Sequence, residues 1–253
     1  MSLQNAKGSI SIFIDAKVAT IEFGHPASNS LPAQLLQELI KTIETLGLNP
    51  EVAVLVLKSQ GTAAFCAGAS FDELLAVSNE TEGKTFFSGF AHLINAMRKC
   101  PKLIIGRVQG KVVGGGVGIL AACDYVVASQ EASIKLSELA IGIGPFVIEP
   151  AVSRKMGRTA FAELTISATE WKSAAWANEK GLYAQIVATH EDLDLAITDL
   201  ANKIAMYNPE AVTEIKKIIW EGTTHWDSLL IERAAITGKL VLSEATKTAL
   251  RSR

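Results

Sequence analysis

Two short runs near the start of the chain alternate between apolar and polar side chains. They cover residues 9–14 and 18–23, and the polar segment 15–17 separates them. A period of two along the chain is typical of a half-buried β-strand, and a short polar break between two such runs favours a turn. The pattern therefore predicts a β-hairpin.

Apolar positions then recur with helical spacing, at Leu35, Leu39 and Ile43. That spacing predicts a helix over residues 32–46, because side chains three and four positions apart share one face of a helix. Ser30 precedes this segment and is the expected N-terminal cap.

Continuous apolar runs rich in β-branched residues occupy residues 52–57 and 103–108. Such runs are typical of strands that are covered on both faces, as in a parallel sheet. Shorter runs at 125–128 and 132–136 predict two further strands, whereas the polar stretch 78–84 indicates a mobile turn or a broken helix.

The second half of the chain is almost entirely helical in its pattern. Helices are predicted over residues 86–99, 149–155, 159–167, 173–180, 191–207, 209–221 and 226–242, with a brief extended segment at 185–187. We therefore predict an α/β body over residues 1–190 and a helical C-terminal region over residues 191–253.

Composition narrows the class of protein. The chain has 253 residues, 49% of them hydrophobic, with 24 Lys and Arg against 26 Asp and Glu. This balanced charge does not indicate the excess of basic residues typical of proteins that bind nucleic acid or a membrane surface. No apolar run approaches the ~18–20 residues of a membrane span. The three cysteines lack metal-ligand spacing, so we expect buried, reduced thiols in a cytoplasmic protein and no metal site.

A glycine triplet, Gly114 to Gly116, lies between the predicted strand 103–108 and an apolar helical run at 117–123. Glycine costs backbone entropy on folding, so the segment should need a bare backbone. One explanation is a ligand that approaches backbone N–H groups at a helix N-terminus. The other is a tight strand-to-helix turn with close packing, and the triplet alone leaves both open.

A second segment that offers chiefly backbone, residues 62–69, follows the predicted strand 52–57. In a parallel sheet the two loops emerge at the same edge, where open α/β folds bind ligands. Backbone N–H groups from two such loops can converge on one oxygen and form an oxyanion hole. Removing one donor from such a hole typically costs ~2.7–4 kcal/mol of transition-state stabilisation.

Downstream, the segment 135–145 places one carboxylate, Glu138, between apolar neighbours and a loop that contains Gly142 and Pro145. Apolar surroundings raise the pKa of a carboxyl from its ordinary ~4.3, which suits proton transfer near neutral pH. Two structural explanations stay open, namely that Glu138 caps a helix or that it pairs with Lys135.

Four short motifs occur in order along the chain. They are Phe65-Cys66-Ala67-Gly68-Ala69-Ser70-Phe71, Gln109-Gly110-Lys111-Val112-Val113-Gly114-Gly115-Gly116, Ala122-Cys123-Asp124-Tyr125, and Ser137-Glu138 followed by Gly142 and Pro145. This set resembles the crotonase (enoyl-CoA hydratase/isomerase) superfamily over roughly residues 9–187, and more loosely in the C-terminal helices.

The resemblance implies a crotonase-like α/β fold, a spiral of ββα units, whose C-terminal helical region serves trimerisation. It implies an acyl-CoA substrate with no separate cofactor, and a homotrimer or a dimer of trimers. We expect no nucleic-acid or membrane partner.

The same resemblance implies the site residues. The backbone N–H groups of Ala69 and Gly115 would form the oxyanion hole, and Glu138 would be the catalytic carboxylate. The substrate-binding residues that it implies are Ala67, Gly68, Gly114 and Phe146.

One departure from the family pattern bears on the reaction. Hydratases of this family carry two catalytic glutamates, whereas Gly118 stands here where the first is expected. Moving a double bond needs one base that takes a proton from C2 and returns it at C4. We therefore predict Δ3,Δ2-enoyl-CoA isomerisation through Glu138. The alternatives are hydration, including that of branched or methylglutaconyl-type substrates, and a catalytically silent CoA-binding subunit.

Other residues offer weaker candidates. Glu149 is an alternative second carboxylate, although a place in the first turn of a helix also explains it. His25 would either meet a CoA phosphate or lie in solvent, and His92 would either line the acyl pocket or pack partly buried. Ser70 departs from the Asp that the family usually has after the oxyanion Ala.

Two other classes of enzyme are disfavoured by their missing motifs. The glycine run lacks the GxGxxG spacing of dinucleotide-binding oxidoreductases. No GxSxG segment is present, so a serine hydrolase of the nucleophile-elbow type is disfavoured as well.

Overall fold

The computed structural model describes residues 8–251, so the first seven and last two residues of the predicted regions 1–190 and 191–253 lie outside it. The strands of this part of the chain are β1 Ser9–Asp15, β2 Val18–Gly24, β3 Val54–Ser59, β4 Ala64–Cys66, β5 Leu103–Val108, β6 Lys111–Val113, β7 Tyr125–Ser129, β8 Ile134–Lys135 and β9 Gln185–Val187. The helices are α1 Ala33–Leu48, α2 Phe71–Ala76, α3 Glu80–Lys99, α4 Gly115–Ala122, α5 Glu149–Met156, α6 Arg158–Ile166, α7 Ala174–Glu179, α8 His190–Ala205, α9 Pro209–Ile219, α10 Trp226–Leu240 and α11 Glu244–Arg251. A 3₁₀ turn, Leu139–Ile141, lies between β8 and α5.

Three successive units of the chain have the same plan. Each places one strand in a six-stranded sheet, the next strand in a three-stranded sheet, and then a helical segment. The units are β3–β4–α2, β5–β6–α4 and β7–β8 with the 3₁₀ turn. The large sheet has the order β1-β2-β3-β5-β7-β9 and the small sheet β4-β6-β8. The predicted α/β spiral of ββα units is therefore confirmed.

The hairpin at the edge of the large sheet is also confirmed. Strands β1 and β2 pair antiparallel, with Asp15 opposite Val18 next to the turn. Ala16 and Lys17 form the turn with φ of 45° and 67°. Positive φ at both central residues gives a turn whose twist matches that of the two strands.

The centre of the large sheet consists of parallel strands β2, β3, β5, β7 and β9. One face of β3, β5 and β7 packs against α8 through Leu193, Ile197 and Ala201. The other face adjoins the main hydrophobic core. Burial on both faces explains why β3 and β5 are nearly continuous apolar runs.

The small sheet was only partly predicted. Strands β4 and β6 have three residues each and fall within segments that the pattern assigned to loops. A run of three residues is too short for alternation to be recognised. Both strands pair parallel, β4 with β6 and β6 with β8, so the loops after all three emerge at one edge. The loops converge as predicted, but they do so on the small sheet and not on the large one.

Helix boundaries differ from the prediction where polar side chains act as caps. Ser30 does not cap α1, because its hydroxyl lies 3.0 Å from His25 Nδ1 and Pro32 is the cap residue. Helix α3 begins at Glu80, within the stretch predicted as a turn, since the Asn79 side chain accepts a hydrogen bond from the Glu82 N–H. Helix α11 was not predicted.

The C-terminal helices pack on the body of the molecule. Helix α10 lies directly against α3, where Gly83 and Gly238 bring the two backbones together. Arg98 on α3 pairs with Asp227 on α10 at 2.7 Å. The apolar side chains of Trp220 and Trp226 are buried and stack edge to face at 5.9 Å between ring centroids.

Between residues 8 and 251, no helix is both long enough and apolar enough to cross a bilayer. The same residues include no cluster of His, Cys, Asp and Glu side chains suited to a metal ion. Cys66, Cys100 and Cys123 are buried and unbridged, as expected.

Candidate active site

A mainly apolar cavity of about 260 Å³ opens where the loops after β4, β6 and β8 meet α3. Phe87 and Phe90 of α3 form one wall, and Ile141 and Ile148 belong to the segment that follows β8. The remaining residues around it are Ala27, Ser30, Ala67, Gly68, Ala69, Phe71, Leu74, Val113, Gly114, Gly115, Ser137, Glu138, Ile143, Gly144, Pro145, Phe146, Val147 and Thr237. All seven site residues that the resemblance implied therefore line one cavity.

The loop after β4 presents its backbone to this cavity. Gly68 has φ of +90°, and its carbonyl accepts a hydrogen bond from the Leu31 N–H at 2.8 Å. A Cβ built on Gly68 would lie 3.1 Å from the Val113 carbonyl oxygen and 3.6 Å from the Gly115 nitrogen. A bare backbone thus lets the first two loops approach each other closely.

The glycine triplet shapes the loop after β6. Gly114 has φ of +54°, and its N–H donates to the Lys135 carbonyl on β8 at 2.9 Å. Gly115 is the first residue of α4, and a Cβ there would lie 2.2 Å from the Phe90 ring. The tight turn with close packing is therefore confirmed, and the triplet also borders the cavity in which a ligand would approach its backbone.

The N–H groups of Ala69 and Gly115 are the two candidate oxyanion donors. Neither donates a hydrogen bond to any other residue between 8 and 251. The Gly115 N–H is also one of the free donors at the N-terminus of α4, where the helix dipole favours negative charge. The two groups are available to an oxygen placed in the cavity.

Glu138 is the only ionisable side chain among the described residues that line the cavity. The residue is half-buried, and its carboxyl oxygen Oε2 is shut off from solvent without a hydrogen-bond partner. Because burial disfavours the charged form, the pKa of Glu138 rises from the ordinary value near 4.5 to about 7. A carboxyl with this pKa exchanges protons readily near neutral pH.

Both structural explanations for Glu138 are wrong. Its side chain does not cap the 3₁₀ turn that follows it. Lys135 does not pair with Glu138, because its ammonium group lies over the Trp171 ring at 4.6 Å from the centroid.

Ile148 occupies the space beside Gly118. A Cβ built on Gly118 would lie 2.3 Å from Ile148 Cγ2 and 2.5 Å from Ile148 Cβ. A glutamate at this position would therefore require Ile148 to move. Gly118 itself is buried in α4, and Ile148 lines the cavity in its place.

The weaker candidates lie outside the cavity lining. Glu149 is in the first turn of α5, where it accepts a hydrogen bond from Ser153 and pairs with Arg233 at 3.2 Å. His92 is exposed and borders a different groove, between α1 and α3. His25 Nδ1 accepts a hydrogen bond from the Ala27 N–H at 3.2 Å. The glutamate and the two histidines therefore do not add an ionisable group to the cavity.

Several cavity residues were not anticipated. Ser30 was taken for a helix cap, and Thr237 lies far along the chain on α10. Phe90 and Ile148 carry only an apolar signal, which also describes ordinary core residues. Ser70, the departure from the family pattern, caps α2 by accepting a hydrogen bond from the Glu73 N–H.

Two free backbone donors and one buried carboxylate line the same cavity, and this arrangement is suited to proton transfer next to a carbonyl group. Comparison with known proteins places the chain in a family: residues 14–243 match the family model described as enoyl-CoA hydratase/isomerase. The chain belongs to this family, and it is a member of the crotonase superfamily, which is consistent with an acyl-CoA substrate.

The named relatives include both an isomerase and a hydratase. The chain is 27% identical over 221 residues to the peroxisomal Delta(3,5)-Delta(2,4)-dienoyl-CoA isomerase of Arabidopsis thaliana, covering 81% of this chain and 78% of the relative. It is 30% identical over 210 residues to the short-chain-enoyl-CoA hydratase of Clostridium acetobutylicum, covering 82% and 79%.

Solved structures agree with the fold. The enoyl-CoA hydratase of Bacillus halodurans superposes with a TM-score of 0.89 at 18% identity, covering 96% of this chain and 99% of that one. The enoyl-CoA hydratase of Bacillus anthracis superposes with a TM-score of 0.78 at 28% identity, covering 93% and 92%.

Proposed function

We propose that this chain is an enoyl-CoA isomerase in which Glu138 alone moves the proton. The proposal rests on one observation about the cavity lining: Glu138 is the only ionisable side chain among the described lining residues. Ile148 fills the space next to Gly118, so the cavity has no room for a second carboxylate at that position. A single base is sufficient for isomerisation, whereas syn hydration is best served by two carboxylates.

The substrate is a 3-enoyl thioester of CoA. The Glu138 carboxylate takes a proton from C2, and the electron pair of that C–H bond delocalises onto the thioester oxygen and C4. The N–H groups of Ala69 and Gly115 stabilise the negative charge on that oxygen. Glu138 then gives the proton to C4, which leaves the double bond between C2 and C3. No atom is gained or lost, so the reaction needs no cofactor.

The apolar walls support this mechanism. Phe87, Phe90, Ile141 and Ile148 have no hydrogen-bonding group that could hold a water molecule, and the polar side chains of the lining besides Glu138 are the hydroxyls of Ser30, Ser137 and Thr237. Where a bound acyl chain displaces water from the apolar part, the two backbone hydrogen bonds to the developing oxyanion become stronger.

The predicted homotrimer or dimer of trimers stays part of this proposal, and the family resemblance is its support. Light scattering during size-exclusion chromatography measures the mass of the assembly. A mass of three or six chains would support the proposal, and a monomeric mass would contradict it.

The test of function is a comparison of two substrates with the same purified protein. We expect 3-enoyl-CoA to be converted to 2-enoyl-CoA, seen as a gain of conjugated-enoyl absorbance, and 2-enoyl-CoA to be hydrated much more slowly. Fast hydration of 2-enoyl-CoA without isomerisation would make the protein a hydratase. Binding of both thioesters by calorimetry without any turnover would make it a CoA-binding subunit.

A further inference from the structure

Helix α11 packs against the 3₁₀ turn that follows Glu138 and makes a hydrogen bond to the residue at its end. Thr246 on α11 is completely buried, and its hydroxyl donates to the Gly142 carbonyl oxygen at a distance of 2.9 Å. Gly142 directly follows the turn and has φ of +81°. A Cβ built on Gly142 would lie 2.6 Å from Thr246 Oγ1 and 2.9 Å from Thr246 Cα. Helix α11 and the turn are thus in backbone contact.

The turn transmits its position to Glu138 through backbone hydrogen bonds. The Glu138 carbonyl accepts the N–H groups of both Ile141 and Ile143, each at 3.1 Å. Gly142 lies between these two donors, and its own N–H donates to the Leu139 carbonyl at 3.2 Å. A displacement of Gly142 would therefore move the backbone that carries the Glu138 side chain.

The hydroxyl of Thr246 is itself oriented by its surroundings. Ser243 Oγ donates to Thr246 Oγ1 at 3.0 Å, and the Leu240 carbonyl oxygen is also 3.0 Å away. A hydroxyl carries one hydrogen, so Thr246 accepts from Ser243 and shares its single donor between two carbonyls. One of these carbonyls belongs to α10 and the other to the turn, so this hydroxyl joins three segments.

The Glu138 carboxylate has a hydrogen bond to its own backbone but none from the side chain of another described residue. Its Oε2 lacks a hydrogen-bond partner, and a Cβ on Gly114 would lie 2.9 Å from Oε1. Hydrogen bonds from neighbouring side chains therefore do not fix where Oε2 points. Its place in the cavity depends on the backbone of residues 138–143.

We propose that Thr246 is a positioning residue, which holds the 3₁₀ turn so that Glu138 faces the substrate between C2 and C4. This inference rests on the proposed role of Glu138. A proton shuttle must reach two carbon atoms in turn, and a misplacement of about 1 Å can cost about 10²-fold in rate.

The test compares two matched substitutions on one helix. Thr246→Val removes the buried hydroxyl and keeps the shape, whereas Thr248→Val makes the same change at an exposed position of α11. We expect Thr246→Val to lower kcat for 3-enoyl-CoA isomerisation by about 10- to 10²-fold with little change in KM. The acid limb of its pH–rate profile should shift to lower pH, because a looser carboxyl is better solvated. Thr248→Val should match the wild type, and Thr246→Ser should restore kcat.

Three results would overturn the inference. The first is a kcat and pH profile for Thr246→Val equal to those of Thr248→Val. The second is a loss of kcat that Thr246→Ser shares, with the acid limb unmoved, because that pattern would reflect packing alone. The third is full turnover by Glu138→Gln, assayed in parallel, which would overturn the proposed function together with this inference. If Glu138→Gln is inactive and Thr246→Val is normal, only the positioning role is wrong.

A milder variant covers the case in which Thr246→Val fails to fold. Ser243→Ala leaves the Thr246 side chain in place and removes the hydroxyl that donates to Thr246 Oγ1 and accepts from the Thr246 N–H at the start of α11. A smaller loss of kcat with the same shift of the acid limb would support the inference, and a wild-type kcat and profile would overturn it.

Discussion

Two buried carboxylates in this protein have opposite surroundings. Asp124 accepts hydrogen bonds from Lys216 Nζ at 2.5 Å, from Trp220 Nε1 at 2.8 Å and from the Ile104 N–H at 2.8 Å. Glu138 leaves Oε2 without a hydrogen-bond partner. Asp124 joins β5 to the C-terminal helix α9, whereas Glu138 lies in the wall of a cavity.

The difference separates a structural carboxylate from a reactive one. Removing a buried carboxylate that has several donors leaves those donors unpaired. Burial raises the pKa of the Glu138 carboxyl to about 7, because few donors there stabilise the anion. The first arrangement stabilises the fold, and the second suits proton transfer.

The largest expected effect is the loss of turnover in Glu138→Gln. Removing a general base typically costs about 10²- to 10⁴-fold in rate, and here no other ionisable group of the described lining could replace it. Steady-state kinetics with 3-enoyl-CoA measure the effect. Glu149→Gln is the matched control, since Glu149 lies outside the cavity and pairs with Arg233. Equal activity of the two variants would remove Glu138 from the mechanism.

Asp124→Asn should lower the free energy of unfolding, in contrast to Glu138→Gln, which should lower turnover. Breaking a buried ion pair by removing one partner costs about 3–5 kcal/mol, because the other charge stays buried. Lys216 has only 3% of its side chain exposed, so it fits this case. Urea denaturation measures the free energy of unfolding, with Glu214→Gln as the control. Glu214 and its partner Lys217 are 67% and 65% exposed, so their ion pair should contribute at most about 1 kcal/mol. Similar losses of unfolding free energy in Asp124→Asn and in the control would contradict the structural role of Asp124.

Gly114→Ala should disturb the reactive carboxylate while leaving the structural one intact. The new Cβ would lie 2.9 Å from Glu138 Oε1 at a residue whose φ is +54°. Displacement of the carboxylate should lower kcat by about 10²-fold. Strain at a positive φ should cost about 1–3 kcal/mol of unfolding free energy. Unchanged kcat in the folded variant would show that the carboxylate has room to move.

The unpaired carboxylate should also make stability depend on pH. Its pKa is about 7 in the folded chain and near 4.5 when exposed, so the folded state binds more protons between these values. Stability of the wild type should therefore fall, relative to Glu138→Gln, as pH rises from about 4.5 to 7. Across this range the difference in unfolding free energy between wild type and variant should change by about 3 kcal/mol in favour of the variant. Urea denaturation across this range measures the difference, and parallel curves would contradict it.

The parts of the site that offer bare backbone or a carboxylate could be predicted from the sequence. The two loops with bare backbone and a carboxylate among apolar neighbours are visible in the sequence, whereas Ala69 and Gly115 as the two donors come from the family resemblance. The large sheet was predictable because its strands are long enough to show their burial pattern. Strands β4 and β6 were not, since three residues carry too little periodicity.

Contacts between distant segments explain the rest of what was missed. Ile148 fills the space at Gly118, and Thr246 holds Gly142 from another helix. Neither side chain has an unusual local sequence, because an apolar residue and a threonine suit many places in a fold. Their roles depend on packing that only the three-dimensional arrangement specifies.

The most direct test of the central claim is the pH dependence of kcat/KM for isomerisation of 3-enoyl-CoA by the wild type. This parameter reports the ionisation of the free enzyme. We predict that kcat/KM rises with pH along a single acid limb with an apparent pKa of about 7, as Glu138 loses its proton. Isomerisation that is independent of pH between about 5 and 8, or the absence of isomerisation beside rapid hydration, would contradict the account.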